Sequence, residues 1–229
     1  MSANSPRSDR VTEAIYTACV NQAAESSGLR VLNMNRIGWF CQRALWHEIN
    51  SPGPSSLNAS DCRAANWALA AETRIIAELR AAGFVIDHQG QNLSDFAGRF
   101  RGRCQGVIHG VTKEPHLLVI SAVSAAEYQV LARPGAALRA EYLDSLQCHL
   151  GYLGLRRALW VVENSHDLAL RSERLMLDAA RFTELKARAE GLLSLAVAPP
   201  AARSSRCIKC FYQKICGPES AVSVRPSSL

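Results

Sequence analysis

The segment VTEAIYTACVNQAA, residues 11–24, carries apolar positions at helical intervals and predicts an amphipathic helix. NMNRIGWFCQRALWHEI, residues 33–49, reads as a loop running into a second helix. SPGPSSLNASD, residues 51–61, is a loop by its Pro, Gly and Ser content. A long helix follows over residues 64–82, with Trp67, Ala71, Ile75 and Leu79 on one face and Gly83 as its C-cap. Residues 84–86, 100–111 and 116–123 are apolar runs bounded by turn residues, the pattern of buried strands. A linker rich in Ala, Arg and Gly leads to a helix over residues 141–151 and a strand over RRALWVVEN, residues 156–164. A polar turn at 165–167, a strand over 168–175 and a helix over 178–195 complete the series. Helices alternating with short strands make this an α/β chain.

Beyond the last helix the periodicity stops and cysteines cluster. Cys207, Cys210 and Cys216 stand in a turn-rich segment beside Lys209, Lys214, Gly217 and Pro218, and Cys41 stands far upstream at the head of the second helix. Thiolates are soft ligands, so four of them converging suit either tetrahedral zinc or a 4Fe-4S cluster. Cys19, Cys62, Cys104 and Cys148 show no ligand spacing and read as buried core thiols. The chain thus divides into a polar, mobile N-terminus (1–10), an α/β domain (11–200), a cysteine lobe completed by Cys41 (201–218) and a Ser-rich, mobile tail (219–229).

With 229 residues and 48% hydrophobic content, the chain can bury one substantial core. It shows no secretory leader and no apolar run of membrane-spanning length, which predicts a cytoplasmic protein whose thiol cluster means metal. The net charge of +6 points toward a polyanionic partner. Arg36, Arg43, Arg99, Arg101, Arg103, Lys113, Arg139, Arg206, Lys209 and Lys214 are the candidate nucleic-acid contacts.

Several short motifs agree in register with one family. CQRALW at 41–46 resembles the C-x-R-x-L-W/Y segment that opens the iron-sulfur branch of the PD-(D/E)XK nuclease superfamily. ALAAE, ending at Glu72, stands where those nucleases carry G-x-x-x-H or G-x-x-x-E, without the glycine. CIKCFYQKIC at 207–216 is similar to their closing C-x-x-C-x-Y-x-x-x-C. The branch includes RecB-like and AddB-like nucleases and the nuclease of CRISPR spacer acquisition. The resemblance covers residues 31–216. It implies a mixed central sheet flanked by helices, with a lobe in which Cys41, Cys207, Cys210 and Cys216 bind a 4Fe-4S cluster, zinc being the alternative.

At the active centre the resemblance fails. Such nucleases hold Mg²⁺ with an Asp in G-x-x-D-G and the Glu of an E-x-K pair, whose Lys activates water. GRCQGV at 102–107 places Gln105 at the Asp, and LLVISAVS at 117–124 places Val119 and Ser121 at the Glu and Lys. SLQCH at 145–149 carries Gln147 within the Q-x-x-x-Y region, with Ser145 and His149 at the matching positions. Another alignment sets His109 opposite the Asp. Glu72, Gln105, Val119, Ser121 and Gln147 therefore form a vestigial site, unless Glu127, Glu141 or Asp144 has migrated beside Glu72 to replace the lost ligands. The resemblance leads to a DNA-binding, catalytically inactive subunit of a CRISPR-type effector complex with guide RNA and protein partners. An exonuclease with a displaced site and a nuclease antagonist are the alternatives.

Overall fold

A computed structural model describes residues 9–26, 31–50, 59–202, 204, 207, 210, 212, 213, 215 and 216. The segments expected to be mobile, 1–10 and 219–229, fall outside these except for Asp9 and Arg10. The elements in chain order are α1 (Arg10–Ser26), β1 (Leu32–Asn33), a 3-10 turn (Met34–Arg36), α2 (Gln42–Asn50), α3 (Ala59–Ala81), β2 (Val85–Asp87), β3 (Asn92–Asp95), β4 (Phe100–Arg103) and β5 (Val107–His109). They continue with β6 (His116–Val123), α4 (Ala125–Leu131), α5 (Ala137–Leu153), β7 (Arg157–Asn164), β8 (Leu170–Met176) and α6 (Ala179–Ser194).

The main sheet is mixed and five-stranded, in the order β2-β5-β6-β7-β8, with β6 and β7 parallel and the other pairs antiparallel. Ile75 and Ile76 of α3 cover one face against Ile108, Leu118, Ile120 and Val161. Leu146 and Leu150 of α5, with Leu131 of α4, cover the other against Leu117, Val123, Trp160 and Val162. This is the α/β class expected: a mixed central sheet with helices on both faces. A second sheet, β1-β4-β3, packs with α2 and α6 around Leu32, Leu45, Ile49, Phe100, Leu185 and Leu192.

Three expectations are corrected. The run over residues 100–111 is two strands, because Cys104–Gly106 leave the small sheet before β5 enters the large one. α3 starts earlier than expected and buries Cys62, Ala71, Glu72, Ile75 and Ile76, while Trp67 is 38% exposed on the far side. The linker ahead of α5 contains α4, whose Ser124 and Glu127 close a capping box. Gly83 does end the long helix as predicted: at φ 93° it lets the Phe84 N–H reach back to the Leu79 carbonyl. Cys19, Cys62, Cys104 and Cys148 are all buried. Burial pushes the Cys148 thiol up to about 12.

Candidate functional site: a polar cavity and a cysteine lobe

A cavity of about 710 Å³ opens between α3, β6, α4, α5 and the 3-10 turn. Four of the five positions that the sequence reading groups as a vestigial site line it: Glu72, Gln105, Val119 and Ser121. Gln147 does not. Its amide turns to the opposite side of α5, donating to the Met176 carbonyl and accepting from the Asp178 N–H, so it secures the β8–α6 corner. Ser145 and His149, the matched positions on the same helix, do face the cavity.

Glu72 is the centre of the polar floor. It is 7% exposed, and both carboxylate oxygens are engaged. Arg103 donates to them through Nη2 at 3.0 Å and Nη1 at 3.3 Å, and Gln105 Nε2 donates to Oε2 at 2.8 Å. The same Gln105 amide grips the main chain of Ile120, accepting its N–H at 2.8 Å and donating to its carbonyl at 3.1 Å. Pairing of β5 with β6 stops near Leu118, whose N–H bonds the Gly106 carbonyl, so the Gln105 side chain continues the ladder one step further. A guanidinium and an amide thus surround the carboxylate, which is left charge-paired and hydrogen-bonded on both oxygens.

Ser121 supplies no charge; the residue is 9% exposed and its hydroxyl accepts from Trp160 Nε1 at 2.9 Å. His149 is held by a 2.8 Å bond between Nδ1 and the Ser145 carbonyl, and burial lowers its pKa, which leaves a neutral ring. Its Nε2 lies beside Gly102, where a Cβ would come within 2.9 Å of it and 2.6 Å of Met34 Sδ. Only glycine lets β4 pass this close to α5. Of the three carboxylates offered as replacement ligands, Glu127 and Glu141 line the cavity. Burial and then these two carboxylates raise the Tyr142 phenol. Asp144 does not line it; it pairs with Arg181 through both oxygens at 2.8 and 2.7 Å and ties α5 to α6. His109 bonds Asp87 at 3.0 Å and lines a separate depression.

The candidate nucleic-acid contacts disperse. Arg36 and Arg103 line the cavity, Arg36 stacking over Trp39 at 4.2 Å. Arg101 and Lys113 are exposed. Arg139 donates through Nη2 to both oxygens of Glu173 at 2.6 and 2.7 Å and through Nη1 to the Leu131 carbonyl. Arg99 donates to the Leu193 carbonyl and anchors α6. Arg43 has its Nε buried. Arg206, Lys209 and Lys214 lie outside the described residues. Within the cavity three carboxylates, Glu72, Glu127 and Glu141, face two guanidinium groups.

The cysteine segment docks on α2. Tyr212 stacks on His47 with ring centroids 5.6 Å apart, and Trp46 Nε1 donates to the Leu195 carbonyl at the end of α6. Tight turns join Cys210 to Cys207 and Cys216 to Tyr212. All four thiols are free of disulfides, and Cys41 is buried at the N-terminal end of α2. Burial raises the Cys210 thiol, and Cys216, Cys41 and Cys207 are near enough to raise it further. Among the described residues no three His, Cys, Asp or Glu are drawn together as a metal-holding group, so the four thiols are neighbours and not a closed cage. The donor set itself suits a thiolate-bound metal or cluster. Arg43 Nε, Arg171 Nη2 and Arg188 Nε are buried without an acceptor among the described residues, and Arg188 donates through Nη2 to the Trp39 carbonyl just ahead of α2. Sequence reasoning gave Arg188 no role, since it sits in an ordinary amphipathic helix.

No protein-family model matches the chain, and no curated protein matches it. Among solved structures, SSO0001 aligns over 93% of this chain and 98% of its own, with TM-score 0.53 and 14% identity. The fold is shared. An alkaline exonuclease from Laribacter hongkongensis, LHK-Exo, aligns over 80% of this chain and 91% of its own, with TM-score 0.47 and 16% identity. Its complex with dAMP aligns over the same shares with TM-score 0.44 and 15% identity. No helix among the described residues is long and apolar enough to cross a membrane.

Proposed function

We propose that this chain binds DNA on a nuclease-type fold without cutting it. The observation that carries the reading is the engagement of Glu72 by Arg103 and Gln105: a divalent cation would have to displace a guanidinium from a buried carboxylate and find a ligand in a neutral amide. Val119 offers no ligand, and Ser121 brings no cation to activate water. Cys41, Cys207, Cys210 and Cys216 would hold a 4Fe-4S cluster, with zinc as the alternative. Such a group, when bound, serves as a staple between α2 and the C-terminal segment. The setting proposed is a CRISPR-type effector assembly with guide RNA and other subunits, which rests on the family resemblance alone.

A second reading, an exonuclease with a displaced centre, is favoured by Glu127 and Glu141 on the same cavity wall and by the excess of carboxylate there. Two carboxylates and a substrate phosphate suffice for many Mg²⁺ sites. The exonuclease named above has the activity this reading requires. A nuclease assay with Mg²⁺ and Mn²⁺ on single- and double-stranded DNA separates the two. The binding reading expects retention without cleavage. Cleavage abolished by Glu127→Gln or Glu141→Gln establishes the second reading instead, and cleavage abolished only by Glu72→Gln shows that Arg103 yields to the metal. Purification with bound RNA and partner subunits supports the assembly setting.

A further inference from the structure

Helix α1 rests on the fold through a pair of thiols. Among its described side chains, residues 10–21, Cys19 alone is buried, while Val11, Ile15 and Tyr16 are exposed. α1 packs chiefly against α3, where the Cys19 thiol meets the Cys62 thiol in a hydrogen bond. Asn66, one turn beyond Cys62 on the same face of α3, donates through Nδ2 to Cys19 Sγ at 3.3 Å. Both cysteines are thiols, 9% and 4% exposed, and neither belongs to the cysteine segment docked on α2. A leucine at position 19 would bury more apolar surface in the same place, so packing alone does not call for sulfur on both sides of this seam.

Two thiols in hydrogen-bond contact on neighbouring helices need only a small approach to reach an S–S bond length of about 2.05 Å. Burial and then the neighbouring Cys19 raise the Cys62 thiol, which keeps its proton and leaves Cys19 to react first. We propose that Cys19 and Cys62 form a redox couple that closes to a disulfide and fastens α1 to α3. The oxidant is a small-molecule disulfide of the glutathione class. When α1 parts locally from α3, the Cys19 thiol gives its proton to solvent and the thiolate attacks one sulfur of the small disulfide. That S–S bond breaks, a mixed disulfide forms on Cys19, and the first small thiolate leaves and takes up a proton. As α1 recloses, the Cys62 thiol gives its proton to solvent and attacks Cys19 Sγ, expelling the second small thiolate, which is protonated in turn. Two protein thiols are oxidised, and one small disulfide is reduced to two thiols. The couple is independent of the DNA-binding reading and of any metal at the other cysteines.

The test equilibrates the whole protein in mixtures of reduced and oxidised glutathione, alkylates it under denaturing conditions and maps the digested peptides by mass spectrometry. A peptide pair linked Cys19 to Cys62 is expected at the oxidising end, lost again in excess dithiothreitol, with the buried Cys104 and Cys148 recovered alkylated. Chymotryptic cleavage at the exposed Tyr16 should then slow by about tenfold or more, because the closed bond opposes opening of α1. Cys62→Ser should stop at the mixed disulfide on Cys19, and Cys19→Ser should leave Cys62 without one. A wild-type protein that keeps its native circular dichroism at the oxidising end and shows no Cys19–Cys62 link overturns the inference. So does a link to Cys104 or Cys148 formed as readily, which marks unfolding. An unchanged rate of cleavage overturns the fastening of α1, and a mixed disulfide on Cys62 in Cys19→Ser overturns the order of attack. Where a serine variant does not fold, the wild-type peptide map and cleavage rate decide.

Discussion

Replacing Gln105 with Ala removes a side chain that does the work of a strand. Three hydrogen bonds go at once: the Ile120 N–H to Oε1 at 2.8 Å, Nε2 to the Ile120 carbonyl at 3.1 Å, and Nε2 to Glu72 at 2.8 Å. Neutral bonds contribute about 0.5–1.5 kcal/mol each and a bond to a charged group about 1.5–3 kcal/mol. The gross loss is therefore about 2.5–6 kcal/mol. Releasing a glutamine side chain returns about 1.5–2 kcal/mol of entropy. Water in the open cavity replaces part of what the Ile120 groups lose, so the net destabilisation is about 1–3 kcal/mol. In a chain of this size that lowers the melting temperature by about 2–12 °C. Urea unfolding of wild type and Gln105→Ala at matched metal content measures it, with Gln105→Asn as an intermediate, since one fewer methylene cannot serve Ile120 and Glu72 together. A change below about 0.5 kcal/mol, the range of an ordinary surface substitution, refutes the account of Gln105 as a surrogate strand.

Three further outcomes concern charged residues of the same fold. Asp95 is held down to about 2 by Lys186, then by Tyr152 and the Phe96 N–H, so its contribution is full above its unfolded value of about 3.9 and disappears as pH falls through about 2. The stability difference between wild type and Lys186→Met should therefore be constant near neutrality and shrink between about pH 4 and pH 2, as followed by acid unfolding; a difference that persists at the acid end contradicts the pairing. Arg139→Ala should lower stability and leave the salt dependence of DNA binding unchanged, because its guanidinium is committed to Glu173. Arg101→Ala should leave stability near wild type and reduce the salt slope by about one counterion. Binding isotherms at several salt concentrations check both, and the reverse pattern shows that the basic surface has been misplaced.

The elements with a strong period were legible in the sequence. The apolar runs that became β6 and β7 and the long periodic stretch that became α3 stand where they were read, to within a few residues. The two-residue β1 and four-residue β3 were not, since strands so short and polar leave no alternation to detect. α4 had a readable signal in Ser124-x-x-Glu127, which composition reasoning passed over in favour of a linker. Trp67 misled because a strict four-residue row drifts around a helix of 3.6 residues per turn, and the sheet-facing stripe of α3 is set by Ala71, Ile75 and Ile76. At the cavity, the sequence positions of Glu72, Gln105, Val119 and Ser121 were found, but their chemistry was not. That Arg103 neutralises Glu72, and that Gln147 faces away, are facts of side-chain direction between elements about thirty residues apart, and no local pattern encodes them.

The placement of α6 has a consequence for how the protein is made. Leu45 and Ile49 of α2 pack against Leu185, Ala189, Leu192 and Leu193 of α6, and the carbonyls of Leu193 and Leu195 are held by Arg99 and Trp46. The wall of the second core is therefore supplied by a helix synthesised long after α2. At ~5–20 residues per second, the apolar face of α2 waits roughly seven to thirty seconds for its cover. During that interval Cys41 and its neighbours are open to solvent, to oxidants and to whatever delivers metal, and they close only once α6 has been made.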